Sequence, residues 1–338
     1  MVDWVGASVS QTQQSFERPA LRGRQGRRSL VVGLLNNMSD GALVATEEQF
    51  CGLLREAASP DLDLTFRYFS LHELERGYDA RQHMLDRYEH IDNLLQRGVD
   101  ALVVTGAEPR AETLEEELYW ASLARVIDWS EAAQIPAVWS CLAAHAAVLR
   151  LSGVSRKRLP AKHSGVFALQ VLGEHPLLEG APSRIVTPHS RWNDLSAREI
   201  EDAGYEILAR SPDVGVDTFV GRGPVLSMFF QGHPEYDAGA LAREYLRDVS
   251  RFLRGQHAHH PSAPTGYFDP DTLDALQNLA RRVVRSRDRN LLEEYALAIQ
   301  GRPPGAAWRP WALHIYRAWL SQVGQLNSRE PRPTAAHL

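Results

Sequence analysis

Four short apolar runs, each followed by an amphipathic stretch, occupy the first half of this 338-residue chain and restrict it to few architectures. SLVVGLLNN from Ser29, LDLTFRYFSL from Leu62, DALVVTGAEP from Asp100 and IPAVWSC from Ile135 read as strands, being short, apolar and closed by turn-forming residues. Between them, ATEEQFCGLLREAAS, a charged stretch ending in HIDNLLQRG, and LEEELYWASLARVIDWSEAAQ carry apolar residues at helical spacing. LAAHAAVLRLSG follows the fourth run and stops at Gly153, placed as a C-terminal cap. This alternation predicts an α/β fold: a doubly wound, mostly parallel sheet with helices on both faces and functional loops at the carboxyl ends of the strands. Thr105-Gly106, Cys141 and His233 all fall at that edge.

The pattern changes between Ser155 and Val220, where GVFALQVL, SRIVTPHS, YEILARS and VDTFVGRG predict an antiparallel excursion before GPVLSMFFQG returns to the main sheet. Composition marks three parts. Residues 1–28, rich in Gln, Ser, Arg and Gly without periodicity, read as a loose arm; 29–255 form the main domain; 256–338 are a linker and a C-terminal helical extension carrying Trp308, Trp311 and Trp319. The first thirty residues lack the apolar core of a signal peptide and no run of eighteen apolar residues occurs, so no membrane association and a cytoplasmic setting are expected. Two cysteines, Cys51 and Cys141, are too few for a disulfide framework and fit a reducing compartment. A net charge of -5 gives no general pull toward nucleic acid. His257, His259 and His260 sit in a Pro-rich linker without a fourth ligand, so they read as solvated linker and no metal is expected.

Cys141 stands between a buried strand and a helix, where the first helical N–H groups and the positive end of the helix favour a thiolate. The same N–H groups, notably that of Leu142, suit the oxyanion of a tetrahedral intermediate. A lone cysteine is more commonly a small buried apolar side chain. What favours the nucleophile is GHPEYD, in which His233 and Glu235 flank Pro234 directly after an apolar run. Adjacent strand ends lie about 5 to 10 Å apart, so a thiol at one and an imidazole with its carboxylate at the next can form a cysteine-histidine-carboxylate group.

The chain order Cys, His, Glu, with about ninety residues between the first two, together with GHPE, resembles class I glutamine amidotransferase domains. NNM at 36–38, TGAE and LYW at 105–108 and 118–120, PAKHSGVF at 160–167, PHSR at 188–191, GHPEYD at 232–237, EYLRD at 244–248 and WRPWALHIYRAWL from Trp308 resemble more closely the homoserine O-acyltransferases of that superfamily, often named homoserine O-succinyltransferases. The resemblance implies a flavodoxin-like sheet, Cys141 as the acylated nucleophile, His233 as general base and Glu235 as its orienting carboxylate. It also implies substrate binding by Lys162, Ser190, Glu244 and Arg247, an acyl-CoA co-substrate (succinyl-CoA or acetyl-CoA) with no bound cofactor, a homodimer, and a place in methionine-type amino-acid biosynthesis. Arg247 lies one helical turn from Glu244, so the two can grip both ends of a zwitterion; apart from the family pattern an intrahelical pair is the plainer reading. Arg110 and Glu112, in the segment after Thr105-Gly106, are expected to set the acyl donor, with Arg110 accepting a succinyl carboxylate.

Three departures bear on these implications. Trp139 and Ala143 stand where glutamine amidotransferases usually carry glycine, which disfavours the alternative activity, an amidohydrolase of the glutamine amidotransferase type. Leu142-Ala143-Ala144-His145 replaces a usual Trp-Gly-Ala-Gln, so His145 is expected to shape the site or pack. NNMSDGALVATEEQF lacks the lysine of better-known members, so either another cation replaces it or the substrate differs.

Overall fold

The computed structural model describes residues 27–300 and 305–329; the expected arm over 1–28 and the end of the tail lie almost wholly outside them. The first half alternates as its patterning predicts: β1 (Arg28–Leu35), α1 (Asp40–Ala57), β2 (Leu62–Phe69), α2 (Tyr78–Leu85), β3 (Tyr88–Glu89), α3 (Ile91–Arg97), β4 (Ala101–Val104), α4 (Trp120–Ala132), β5 (Ala137–Ser140) and α5 (Leu142–Ser152). The antiparallel excursion follows as β6 (Lys157–Val171), β7 (Arg184–Asp194), α6 (Ala197–Asp202), β8 (Glu206–Ser211) and β9 (Gly215–Val220), and β10 (Ser227–Phe230) returns to the centre. The chain ends in α7 (Ala240–Leu253), α8 (Pro270–Ser286), α9 (Leu291–Gln300) and α10 (Arg309–Arg329).

All ten strands join one sheet in the order β3-β2-β1-β4-β5-β10-β9-β8-β6-β7. From β3 to β10 every pairing is parallel; from β10 to β7 every pairing is antiparallel. Leaving aside the two-residue β3, the parallel half runs second-first-third-fourth-fifth in chain order, the flavodoxin-like arrangement. β4, β5 and β10 are buried at every position, which is why their sequences are unbroken apolar runs rather than alternating ones.

One face of the sheet is covered by α3, α4, α5 and α6, the other by α1 and α10. The C-terminal helix is therefore core. Trp311, Ile315, Tyr316, Trp319 and Val323 pack among Leu34, Phe50 and Phe230, with the Tyr316 and Phe230 rings stacked at 5.8 Å. A third apolar cluster joins α7, α8 and α9 through Tyr245, Phe252, Leu276, Val283 and Tyr295. Among the described residues, no helix is long and apolar enough to cross a membrane.

Candidate active site

Cys141 sits in the turn between β5 and α5 with φ 52° and ψ -113°, a conformation that costs a non-glycine residue of the order of 1–3 kcal/mol. Its N–H donates to the Phe230 carbonyl at 2.7 Å, which fastens the turn to the end of the parallel neighbour β10. The strand that supplies the imidazole thus abuts the strand that supplies the thiol. His233 follows β10 after Gly232, and its own N–H is held by the Pro188 carbonyl of β7 at 2.7 Å. A side chain on residue 232 would meet Asp217 Oδ1 at 2.4 Å and Thr187 at 2.7 Å, so only glycine lets this loop seat.

His233 Nδ1 lies 2.8 Å from Glu235 Oε1, both groups are buried, and the ring stacks on Tyr236 with centroids 4.3 Å apart. Burial works to strip the proton from the ring, but the Glu235 carboxylate and then Cys141, by charge and by hydrogen bonding, outweigh it. The net effect holds His233 well above the ordinary imidazole range. Ser140 Oγ donates to Glu235 Oε1 at 3.4 Å, so the residue before the thiol helps fix the carboxylate. Leu142 opens α5 and has no intrahelical carbonyl to receive its N–H. Gly106 lies against it: a side chain there would come within 3.1 Å of the Leu142 nitrogen.

A second constellation faces the thiol across a cavity of about 680 Å³ that both share. Lys162 Nζ contacts Asp248 Oδ2 at 2.8 Å and Glu244 Oε2 at 3.7 Å. Ser190 Oγ donates to Glu244 Oε2, and the Tyr236 hydroxyl donates to Oε1 at 2.7 Å. Arg247 Nε donates to Asp248 Oδ1 at 3.0 Å. Burial opposes ionisation of Glu244, yet Lys162, Arg247 and His233 hold its carboxyl below the usual range; Asp248 is held low by Lys162 and Arg247 against the same penalty. Partly buried charges of both signs, linked by hydrogen bonds and ion pairs at the wall of a cavity, suit a ligand that carries an ammonium and a carboxylate.

The family model described as homoserine O-succinyltransferase (HTS) matches residues 10–329. The chain belongs to the homoserine O-succinyltransferase family. A homoserine O-succinyltransferase of Methylorubrum extorquens is 45% identical over 297 residues, covering 88% of each chain. That of Rhodopseudomonas palustris is 44% identical over 316 residues, 93% of this chain and 92% of its own. Among solved structures, a glutamine amidotransferase from Thermotoga maritima aligns over 89% of this chain and all of its own at 13% identity and a TM-score of 0.48, a distant likeness that adds nothing to the topology.

Within this homoserine O-succinyltransferase fold, Cys141, Leu142, His233, Glu235, Lys162, Ser190, Glu244 and Arg247 all line the one cavity. Arg110 and Glu112 do not. The loop that carries them is pinned outward by Glu117, whose Oε1 accepts from the Arg110 and Ala111 N–H groups at 2.8 and 3.0 Å, and the exposed Arg110 pairs with Glu75. Glu108 and Pro109 border the cavity instead, and Glu108 is gripped by Arg251 of α7 at 2.5 and 2.9 Å. The alternative intrahelical partner expected for Arg247, Glu244, acts on it by charge, while its hydrogen bond goes to the adjacent Asp248.

Asp248 and Tyr236 were not among the residues singled out from the sequence. Asp248 was within reach, four residues after Glu244 and so on the same helical face; Tyr236, beside Glu235, gave no signal of its own. His145 Nε2 lies 2.9 Å from Gln231 Oε1, and burial drives its ring down to about 3, so it is a neutral wall of the cavity. At the loop that lacks the family lysine, Arg76 donates to the Met38 carbonyl and to Ser70 Oγ. It braces the loop and does not line the cavity. His257 and His259 are exposed, in keeping with a solvated linker, while residues 257–263 also border the cavity and His260 Nε2 lies 2.8 Å from the Tyr295 hydroxyl.

Proposed function

We propose that this member of the homoserine O-succinyltransferase family moves a succinyl group from succinyl-CoA through a thioester on Cys141 to the hydroxyl of L-homoserine, in methionine-type biosynthesis. The observation that carries the proposal is the convergence of Cys141, His233 and Glu235 from two adjacent strand ends on one cavity.

The steps balance on these residues. The Cys141 thiolate attacks the thioester carbonyl while His233 holds the proton, and the oxyanion faces the Leu142 N–H. Collapse breaks the bond to the coenzyme sulfur, which leaves with the proton from His233. The homoserine hydroxyl then gives its proton to His233 and attacks the acyl-cysteine; the ester forms, the Cys141 sulfur leaves, and the imidazolium–thiolate pair is restored. Arg247 and Lys162 suit the carboxylate of homoserine, Glu244 and Asp248 its ammonium. Glu235 fixes the ring so that the opposite nitrogen addresses the sulfur.

Incubation with succinyl-CoA without acceptor is expected to add one succinyl group to Cys141, read by intact and peptide mass spectrometry, and homoserine is expected to discharge it. Cys141→Ser is expected to abolish both steps while its circular dichroism stays that of the native chain. An unmodified Cys141, or turnover surviving the substitution, removes the proposal.

A further inference from the structure

The amino-acid constellation joins Glu244, Arg247 and Asp248 of α7 to Lys162 of β6 and Ser190 of β7; Arg158 and Trp192 of the same β6–β7 hairpin also line the cavity and have no role in the chemistry above. There β6 breaks register against β7 between Arg158 and His163, which pushes Pro160, Ala161 and Lys162 toward the cavity. Just before the break, the Arg158 guanidinium lies 4.6 Å from the centre of the Trp192 ring. Trp192 is 41% exposed, unusual for so large an apolar surface, and both residues line the cavity together with Asn193.

The local charge is unbalanced. Lys157 is neutralised by Glu199 at 2.8 Å, but among the described residues no carboxylate pairs with Arg158. Arg156, two residues earlier, adds a second guanidinium on which Glu117 acts by charge; among the described residues its Nη1 is buried without a hydrogen-bond partner and its Nη2 donates to the Glu112 carbonyl at 3.3 Å. Arg156, in the connection just ahead of β6, and Arg158 within it repel each other, and Arg158 uses an aromatic face in its contact with Trp192. An anion resolves that arrangement, and a flat heterocycle uses the open indole.

We propose that Arg158 and Trp192, backed by Arg156, form the subsite for the nucleotide end of the acyl-CoA donor. The guanidinium takes a phosphate and the indole takes the adenine. A guanidinium meets phosphate oxygens with two parallel N–H bonds, and base stacking on an aromatic ring is tolerant of orientation, so the pair recognises a nucleoside phosphate as a class. The pantetheine arm then runs from the rim down the shared cavity to Cys141, leaving the α7 side open for the acceptor. The inference rests on the acyl-CoA reading above, and it also explains why the cavity greatly exceeds the needs of a small amino acid.

The test compares succinyl-CoA with succinyl-pantetheine, which carries the same thioester without the nucleotide. In Arg158→Glu, the ratio of kcat/KM for the full donor to that for the truncated one is expected to fall roughly tenfold or more, the loss associated with one hydrogen bond to a charged group. Trp192→Ala is expected to move the ratio in the same direction, by removing the stack. An unchanged ratio in both variants overturns the subsite, as does an equal fall with both donors. Calorimetric titration with adenosine 3′,5′-bisphosphate separates this result from the catalytic reading, since it needs no turnover. Affinity is expected to drop about tenfold in Arg158→Glu; equal affinity in wild type and variant overturns the subsite even when acyl transfer is intact. A wild type that binds the nucleotide but acylates nothing refutes the catalytic proposal and leaves the subsite standing.

Discussion

His233 is placed where two opposing effects meet, and their balance sets what the site can do. Burial alone leaves an imidazole neutral; the Glu235 carboxylate at 2.8 Å and Cys141 reverse that outcome and keep the ring protonated beside a sulfur. Glu235→Gln retains an acceptor for Nδ1–H and removes the charge that most strongly opposes burial, the largest single effect on the ring, leaving Cys141 as the chief remaining opposition. The sign follows: a raised imidazole is charged at any pH below its shifted value, and lowering that value empties the charged form at neutral pH. ¹⁵N NMR of the ring at pH 7 is expected to show imidazolium in the wild type and neutral imidazole in the variant. Turnover is expected to fall by roughly 10²- to 10⁴-fold, the range of general acid–base contributions. A ring that titrates identically in both proteins eliminates an electrostatic role for Glu235. This much was legible in GHPEYD, because the proline-flanked pair follows a buried strand; the identity of the second aromatic partner, Tyr236, was not, since stacking against a neighbour in sequence leaves no spacing pattern.

Among the elements, the segment 256–265 departs most from its sequence reading. Its His, Pro and Ser content describes a solvated linker, yet its far end is fastened by backbone alone: Thr265 N–H donates to the Ser164 carbonyl at 2.9 Å and the Thr265 carbonyl accepts from Val166 N–H at 2.8 Å. Main-chain pairing of this kind has no side-chain signature, which is why the tie was invisible. The parallel strands were readable for the opposite reason, since burial on both faces writes itself as an apolar run. The tie requires Gly165, which has φ 151° and whose replacement by any larger residue brings a Cβ to 2.3 Å from the Thr265 carbonyl. Gly165→Ala is therefore expected to cost about 1–3 kcal/mol in chemical denaturation, the scale of a forced backbone conformation. It is also expected to raise the KM for the acyl donor, because residues 257–263 border the cavity mouth. A variant that denatures like the parent with an unaltered KM shows that the mouth is set by α8 and α9 packing instead.

At the scale of the molecule, the C-terminal helix packs into the sheet core beside β10, and Trp308, just ahead of it, donates its Nε1–H to the Tyr236 carbonyl at 2.8 Å, tying this end of the chain to the loop that carries His233 and Glu235. Its tryptophans announced burial, but sequence periodicity says nothing about which sheet face a helix joins after a long insertion. The same dense interior encloses imidazoles that do not titrate at neutral pH. His145 is driven down to about 3 by burial, outweighing its bond to Gln231, with Arg191 and Arg156 pressing the same way; His189 is lowered by burial despite Asp217 at 3.1 Å. In the unfolded chain these rings bind protons below about 6.5, where the folded protein refuses them, so stability is full above that pH and declines as the pH falls toward the folded values. His233, raised instead of lowered, acts in the opposite sense and softens the trend. For one fully excluded proton the loss between pH 6.5 and 5 is about 2 kcal/mol. His145→Gln keeps an N–H donor for Gln231 and removes that titration, so its melting temperature is expected to fall less steeply from pH 7 to 5 than that of the parent in differential scanning calorimetry. Parallel curves for the two proteins assign the acid sensitivity elsewhere and leave His145 a neutral packing group with no part in it.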